Sequence, residues 1–161
     1  MALAKNRLVI LWAYLSEVIL AGLLYSLSFW LWDFDQIASF FISTADSWAT
    51  KFTAIMLAGS IAFFWTFYSR SDSDFAKWLY QKKAFNNYLR AFLTAIAVFL
   101  VTTIAFGITQ ITQSKSAAAI SGGLFILSVI NVFSFFKNIV DIMRLNIAFN
   151  IELDKERQKQ K

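Results

Sequence analysis

The chain contains no cysteine, no histidine and no proline, and only 5 glycines among 161 residues. Without cysteine it forms no disulfide, thiolate zinc site, iron–sulfur cluster or haem thioether. Without histidine it has no imidazole general base, no Ser-His-Asp triad and no imidazole metal ligand. Only carboxylate, lysine, tyrosine and hydroxyl chemistry remains. Charge is scarce too: 16% of the residues are charged, against about 25% in ordinary soluble domains.

What the chain has in excess is apolar surface. Apolar residues make up 58% and aromatics 18%, with 18 Phe, 6 Trp and 5 Tyr. Mean hydropathy is +0.57. A soluble body of this length cannot hide so many apolar side chains, and the same composition excludes disorder. The expectation is a membrane protein that is not an enzyme, with no cofactor and no metal.

Four apolar runs organise the chain, at about 8–32, 52–68, 91–111 and 117–136. A hydrocarbon core of about 30 Å needs about 20 helical residues, and a lipid-embedded backbone must satisfy its own hydrogen bonds. The fold expected is therefore an all-α integral membrane protein of four transmembrane helices, read as one membrane domain over 1–161. The first run is longer than a signal-peptide core and carries Glu17, so it reads as a retained helix. No internal repeat is visible by eye.

Orientation follows from the basic residues. Lys5 and Arg7 precede the first run; Arg70, Lys77, Lys82, Lys83 and Arg90 lie in the second connection; Lys137, Arg144, Lys155, Arg157, Lys159 and Lys161 follow the fourth. Thirteen of the 15 Lys and Arg thus fall on one side, leaving Lys51 and Lys115 with Asp33, Asp35 and Asp46 on the other. The positive-inside rule puts both termini in the cytoplasm (N-in/C-in), and the bacterial inner membrane is the expected compartment. Trp12, Tyr14, Trp30, Trp32, Trp65, Phe67 and Tyr68 mark headgroup levels at the run ends.

The connections are not plain loops. The outer one, 33–50, holds Ile37, Phe40, Phe41, Ile42 and Trp48 and reads as a short amphipathic segment along the interface. The cytoplasmic one, about 71–90, opens on Ser71, Asp72, Ser73 and Asp74, which suit a helix N-cap; Asp72 and Asp74 are poor metal candidates beside that role. The cytoplasmic tail, 137–161, continues helix four as an amphipathic extension.

Few residues offer themselves as a site. Glu17 lies about 13 Å inside the first run, where an unpaired charge costs roughly 2.5–3.5 kcal/mol. Asn131, Lys137, Asp141 and Arg144 are the other intramembrane or ion-pair candidates. A Glu17–Lys137 pair would neutralise both charges, and Lys137, Asp141 and Arg144 share one helix face. The functional reading is a polar seam inside an oligomer; the structural one is snorkelling Lys137 and Arg144 and a helix-bonding Glu17. Small residues that allow close helix approach are Gly22 with Ser26, Ala54 with Ala58 and Ala62, and Ala117 to Gly123. Arg70, Lys77, Lys82, Lys83 and Arg90 form a basic face that sets topology or meets anionic lipid or a cytoplasmic protein. Direct nucleic-acid binding is not expected, since acids dilute the face and no phosphate-cradling glycine loop occurs.

Two resemblances follow from these residues. Ser16-Glu17-Val18-Ile19 resembles the first helix of small multidrug-resistance transporters, which implies Glu17 as a proton and drug site. The later helices are not rich in proline and glycine as that family's are, and the long connections and charged tail are additions. The second is architectural: the short basic N-terminus, four spans, basic second connection and charged tail resemble RexB-type phage-exclusion proteins and the KwaA membrane subunit of the Kiwa system. The stretch from Ile61-Ala62-Phe63-Phe64 through Ser69-Arg70 and Ala76-Lys77 carries it. This resemblance implies a defence protein that senses or permeabilises the inner membrane as a homo-oligomer with a cytoplasmic partner. The functions in view are thus an oligomeric membrane scaffold, sensor or channel, or a proton-coupled transporter; a membrane enzyme lacks its usual residues.

Overall fold

The structure, a computed structural model, describes residues 2–159, with side chains for residues 12 and 14–158. Helix α1 spans Ala2–Leu31 and α2 Phe34–Ser47; a π-helical turn, Trp48–Thr53, leads directly into α3, Ala54–Ser69. Short helix α4 is Asp74–Gln81, α5 is Phe85–Thr112 and α6 is Lys115–Lys159. There is no strand among the described residues. The chain is all-helical, and four stretches are long and apolar enough to cross a membrane: Tyr14–Leu31, Phe34–Ser69, Phe85–Thr112 and Lys115–Gln158.

Helices α5 and α6 form the central hairpin. On α5 the fully buried side chains are Phe85, Phe92, Phe99 and Phe106, each seven residues after the last, with Ala95, Thr102 and Thr109 on the adjoining heptad position. On α6 Ser121, Ser128, Phe135, Ile142 and Phe149 are buried at the same interval. Two seams repeating every 3.5 residues describe left-handed, near-antiparallel packing. Buried hydroxyls bridge the seam, Thr102 to Ser128 at 2.7 Å and Thr109 to Ser121 at 2.8 Å. The turn is two residues long, and Gln113 closes it at φ 50° with its amide bonded to the Thr109 carbonyl.

The helical stretch that holds the expected second span of 52–68 is longer than that span, running from Phe34 to Ser69. Only Trp32 and Asp33 separate α1 from α2, and helix then runs without a break to Ser69. The expected outer segment is amphipathic, but its apolar face is spent on protein. Ile37, Ala38, Phe41 and Ala45 are buried in a cluster with Phe106 and Ala118 of the hairpin. Buried positions recur every four residues from Ile37 through Phe41, Ala45 and Ala49 to Thr53. That interval drifts away from a 3.6-residue turn, and the wider π turn takes up part of the excess. The Thr53 hydroxyl meets that of Thr103 on α5 at 2.9 Å.

At the opposite end, Ser73 is the residue of the expected capping run that caps α4, its hydroxyl accepting from the Ala76 amide at 3.2 Å. Lys83 then takes the left-handed conformation at φ 57° and turns the chain into α5 six residues earlier than the 91 expected. Leu79 and Ala76 pack with Phe85, so α4 lies on the bundle rather than free of it. Helix α6 runs unbroken from Lys115 through the expected boundary at Phe136 to Lys159, about 67 Å at 1.5 Å per residue.

Candidate functional site

Helix α1 packs mainly on α6, and the contact is built around polar atoms. Toward the C-terminal end of α1 the Tyr25 hydroxyl donates to the Ala119 carbonyl at 2.5 Å. Two turns away, half-buried Glu17 accepts a hydrogen bond from Asn131 Nδ2 at 3.1 Å and a second from the Ser134 hydroxyl. Asn131 is only 4% exposed, and this carboxylate is the hydrogen-bond partner of its buried amide. Ala21 is buried beside them, while Val18, Ile19, Leu20, Leu23 and Leu24 of α1 face outward.

The expected Glu17–Lys137 pair does not form. Ser134 and Asn131 occupy Glu17, and no cation lies within 4.0 Å of it among the described residues. Lys137 is one turn further along α6 than Ser134 and rotated away from the α1 seam, and it is exposed. The Lys137–Asp141–Arg144 ladder is reduced to one contact, Asp141 to Arg144 at 4.0 Å. Among the described residues of one chain, Glu17 and this ladder are thus not joined by an ion pair. Ser134 is the member that sequence reading missed; a serine in an apolar run carries no signal until its partner is known.

Among the small residues, a Cβ at Gly22 would meet nothing within 4 Å, and Ser26, Ala58 and Ala62 are exposed. Gly122 does allow close approach: the Phe41 ring lies where its side chain would be.

The basic end is assembled by α4, the α5 start and the α6 extension. Trp78 Nε1 donates to Glu152 at 3.0 Å, and Trp78 packs against Phe149. Lys82 stands 5.3 Å over the Trp78 ring, and Lys77 pairs with Asp74 at 3.5 Å. Arg70, Lys77, Lys82, Lys83 and Arg90 are all exposed. No group of three acids capable of holding a metal occurs among the described residues.

Like α1 and α5, α6 also carries exposed apolar residues. Phe133, Phe136, Val140, Met143, Ile147 and Ile151 are all exposed and form a second apolar stripe, roughly a quarter turn or more from the α5 seam. Phe133 is 73% exposed and Ile147 60%. The chain matches no protein-family model, no curated protein and no solved structure.

Proposed function

We propose that this chain is a multi-pass protein of the bacterial inner membrane, with both termini in the cytoplasm, that works as a homo-oligomeric scaffold or sensor for a cytoplasmic effector. The observation that carries this reading is the bare stripe on α6. About 20 residues from Lys115 cross the hydrocarbon core, so Val140, Met143, Ile147 and Ile151 fall at or beyond its edge. The opposite face of the same segment is already covered, through Ile142 and Phe149. A helix emerging into water with apolar residues on both faces needs a second partner.

A second copy suits the stripe. The spacings 133, 136, 140, 143 and 147 alternate three and four, the interval of a coiled-coil seam. A shared membrane would align the copies in parallel, and a two-fold axis would set each stripe against itself. The gathering of basic residues at the α4 end supports the orientation, and that end supplies the surface for an effector. The resemblance to phage-exclusion and Kiwa membrane subunits suggests defence or stress as the setting.

The test is the mass of the complex in mild detergent, purified from a native-type host with neighbouring genes present. A defined oligomer with a stoichiometric soluble partner is expected, and Ile147→Asp should reduce it to the monomer. A wild-type monomer with no soluble partner would overturn the proposal.

Glu17 supports a second reading, a proton-coupled transporter. Its carboxylate lies within a membrane-competent stretch and is held by two neutral donors, a setting that allows it to exchange a proton for a substrate. Glu17→Gln should then abolish transport while insertion is retained, and unchanged transport would refute it.

A further inference from the structure

We propose that the groove between α3, α4 and α6 is a binding site for one anionic phospholipid of the basic-side leaflet, its phosphate held by Arg70. The inference rests on the chain being membrane-inserted, as proposed above.

The groove has a volume of about 390 Å³, within the range of small-molecule sites. Its walls are apolar where they face the bundle: Phe63 and Phe67 from α3, Ile139 and Ile142 from α6. Its polar residues are Thr66, Arg70, Ser73 and Asn146. Along α6 the groove runs from Ile139 to Asn146, about 10 Å of rise. It begins about 7 Å beyond the level where 20 residues from Lys115 would complete a crossing, at headgroup depth. A trough at that depth beside a cation matches a phosphate with the glycerol and the first methylenes of its chains.

The charge pattern supports the same occupant. Arg70 caps the C-terminus of α3 and is exposed, and no carboxylate lies within 4.0 Å of its guanidinium among the described residues. The nearby Asp74 is engaged by Lys77. A guanidinium presents paired donors to phosphate oxygens, which an ammonium does not. Exposed Trp65 and Tyr68, five and two residues before Arg70, suit the headgroup zone on the same helix. Ser73, the N-cap of α4, and Phe75 and Ala76 within it form one side of this half-open groove.

The experiment is native mass spectrometry of the full chain, delipidated in mild detergent and offered phosphatidylglycerol or phosphatidylcholine with identical chains. One phosphatidylglycerol per protomer should be retained, about five- to tenfold more tightly than phosphatidylcholine. Arg70→Gln should erase that preference and Arg70→Lys keep part of it. Thr66→Trp, which fills the groove mouth from an exposed position, should weaken both lipids. Lys82→Gln, outside the groove, should change neither. Equal retention of the two lipids by the wild type would overturn the site, and so would equal loss of preference in Arg70→Gln and Lys82→Gln. Vesicle flotation of the same preparation separates the two proposals: a chain that floats but shows no preference refutes the lipid site alone, and one that does not float refutes the membrane reading with it.

Discussion

Replacing Gly122 with alanine tests whether the α2 stretch is docked as described. A methyl group at Gly122 would lie 2.5 Å from Phe41 Cε2 and 2.7 Å from Cδ2. Carbon atoms pack at about 3.5–4.0 Å, so the overlap is close to 1 Å. The ring is hemmed in on its bundle side but also lines a recess of about 380 Å³ with Tyr25, Ile37 and Phe40, so part of the overlap can be relieved there. Phe41 is 7% exposed and is enclosed by Phe40, Phe106 and Phe125, with ring centroids 5.2, 6.2 and 6.0 Å away. Overpacking of this kind costs about 1–3 kcal/mol, while alanine returns up to about 1 kcal/mol of helix propensity. The expected net effect is a loss of about 0–2 kcal/mol. Gly107 is the control, because nothing lies within 4 Å of a Cβ there. Gly107→Ala should receive the propensity gain alone. The two variants should therefore differ by about 1–3 kcal/mol, and each 1 kcal/mol moves the midpoint of a chain this size by about 2–4 °C. Thermal unfolding in mild detergent, followed by near-ultraviolet circular dichroism, reads the difference. Phe41→Leu in the Gly122→Ala background should recover part of the loss, as expected for residues in contact. A Gly122→Ala midpoint at or above that of Gly107→Ala would refute the docking of α2 on α6.

Two further predictions concern the polar contacts. Glu17→Leu removes the acceptor from Asn131, which is 4% exposed, and should cost about 1–3 kcal/mol. Adding Asn131→Leu should restore much of it, as read by denaturation in mixed micelles, and a double variant no more stable than Glu17→Leu would contradict the pairing. Thr102→Val and Ser128→Ala each break the 2.7 Å hydroxyl bridge, so a double-mutant cycle should give a coupling of about 0.6 kcal/mol; purely additive losses would show that the bridge contributes nothing.

Helices α1, α5 and α6 were legible from apolar length, because a 30 Å core imposes a minimum run on any spanning helix. The extension of α6 was legible too, since no glycine or proline stops the helix after Phe136. The α5 seam was present in the sequence as Phe85, Phe92, Phe99 and Phe106 but hidden. In a run where almost every position is apolar, periodicity has no polar face to stand against, so the buried heptad cannot be told from its neighbours. The docking of the outer segment on the hairpin was hidden for a related reason. Ile37 and Phe41 show an amphipathic face, but amphipathicity does not say whether lipid headgroups or another helix will cover it.

Glu17 marks the same division at the level of one residue. Composition and position singled it out, because a lone carboxylate in an apolar run is costly enough to demand a partner. Opposite charge suggested Lys137, yet rotation about α6 brings Asn131 and Ser134 to the α1 seam and carries Lys137 away from it. The sequence alone determined that this chain is helical and suited to a membrane, through local backbone satisfaction and the summed hydropathy of each run. Only the tertiary structure decided which faces meet and which stay bare, because that depends on helix rotation and crossing, to which residues far apart in the chain contribute together.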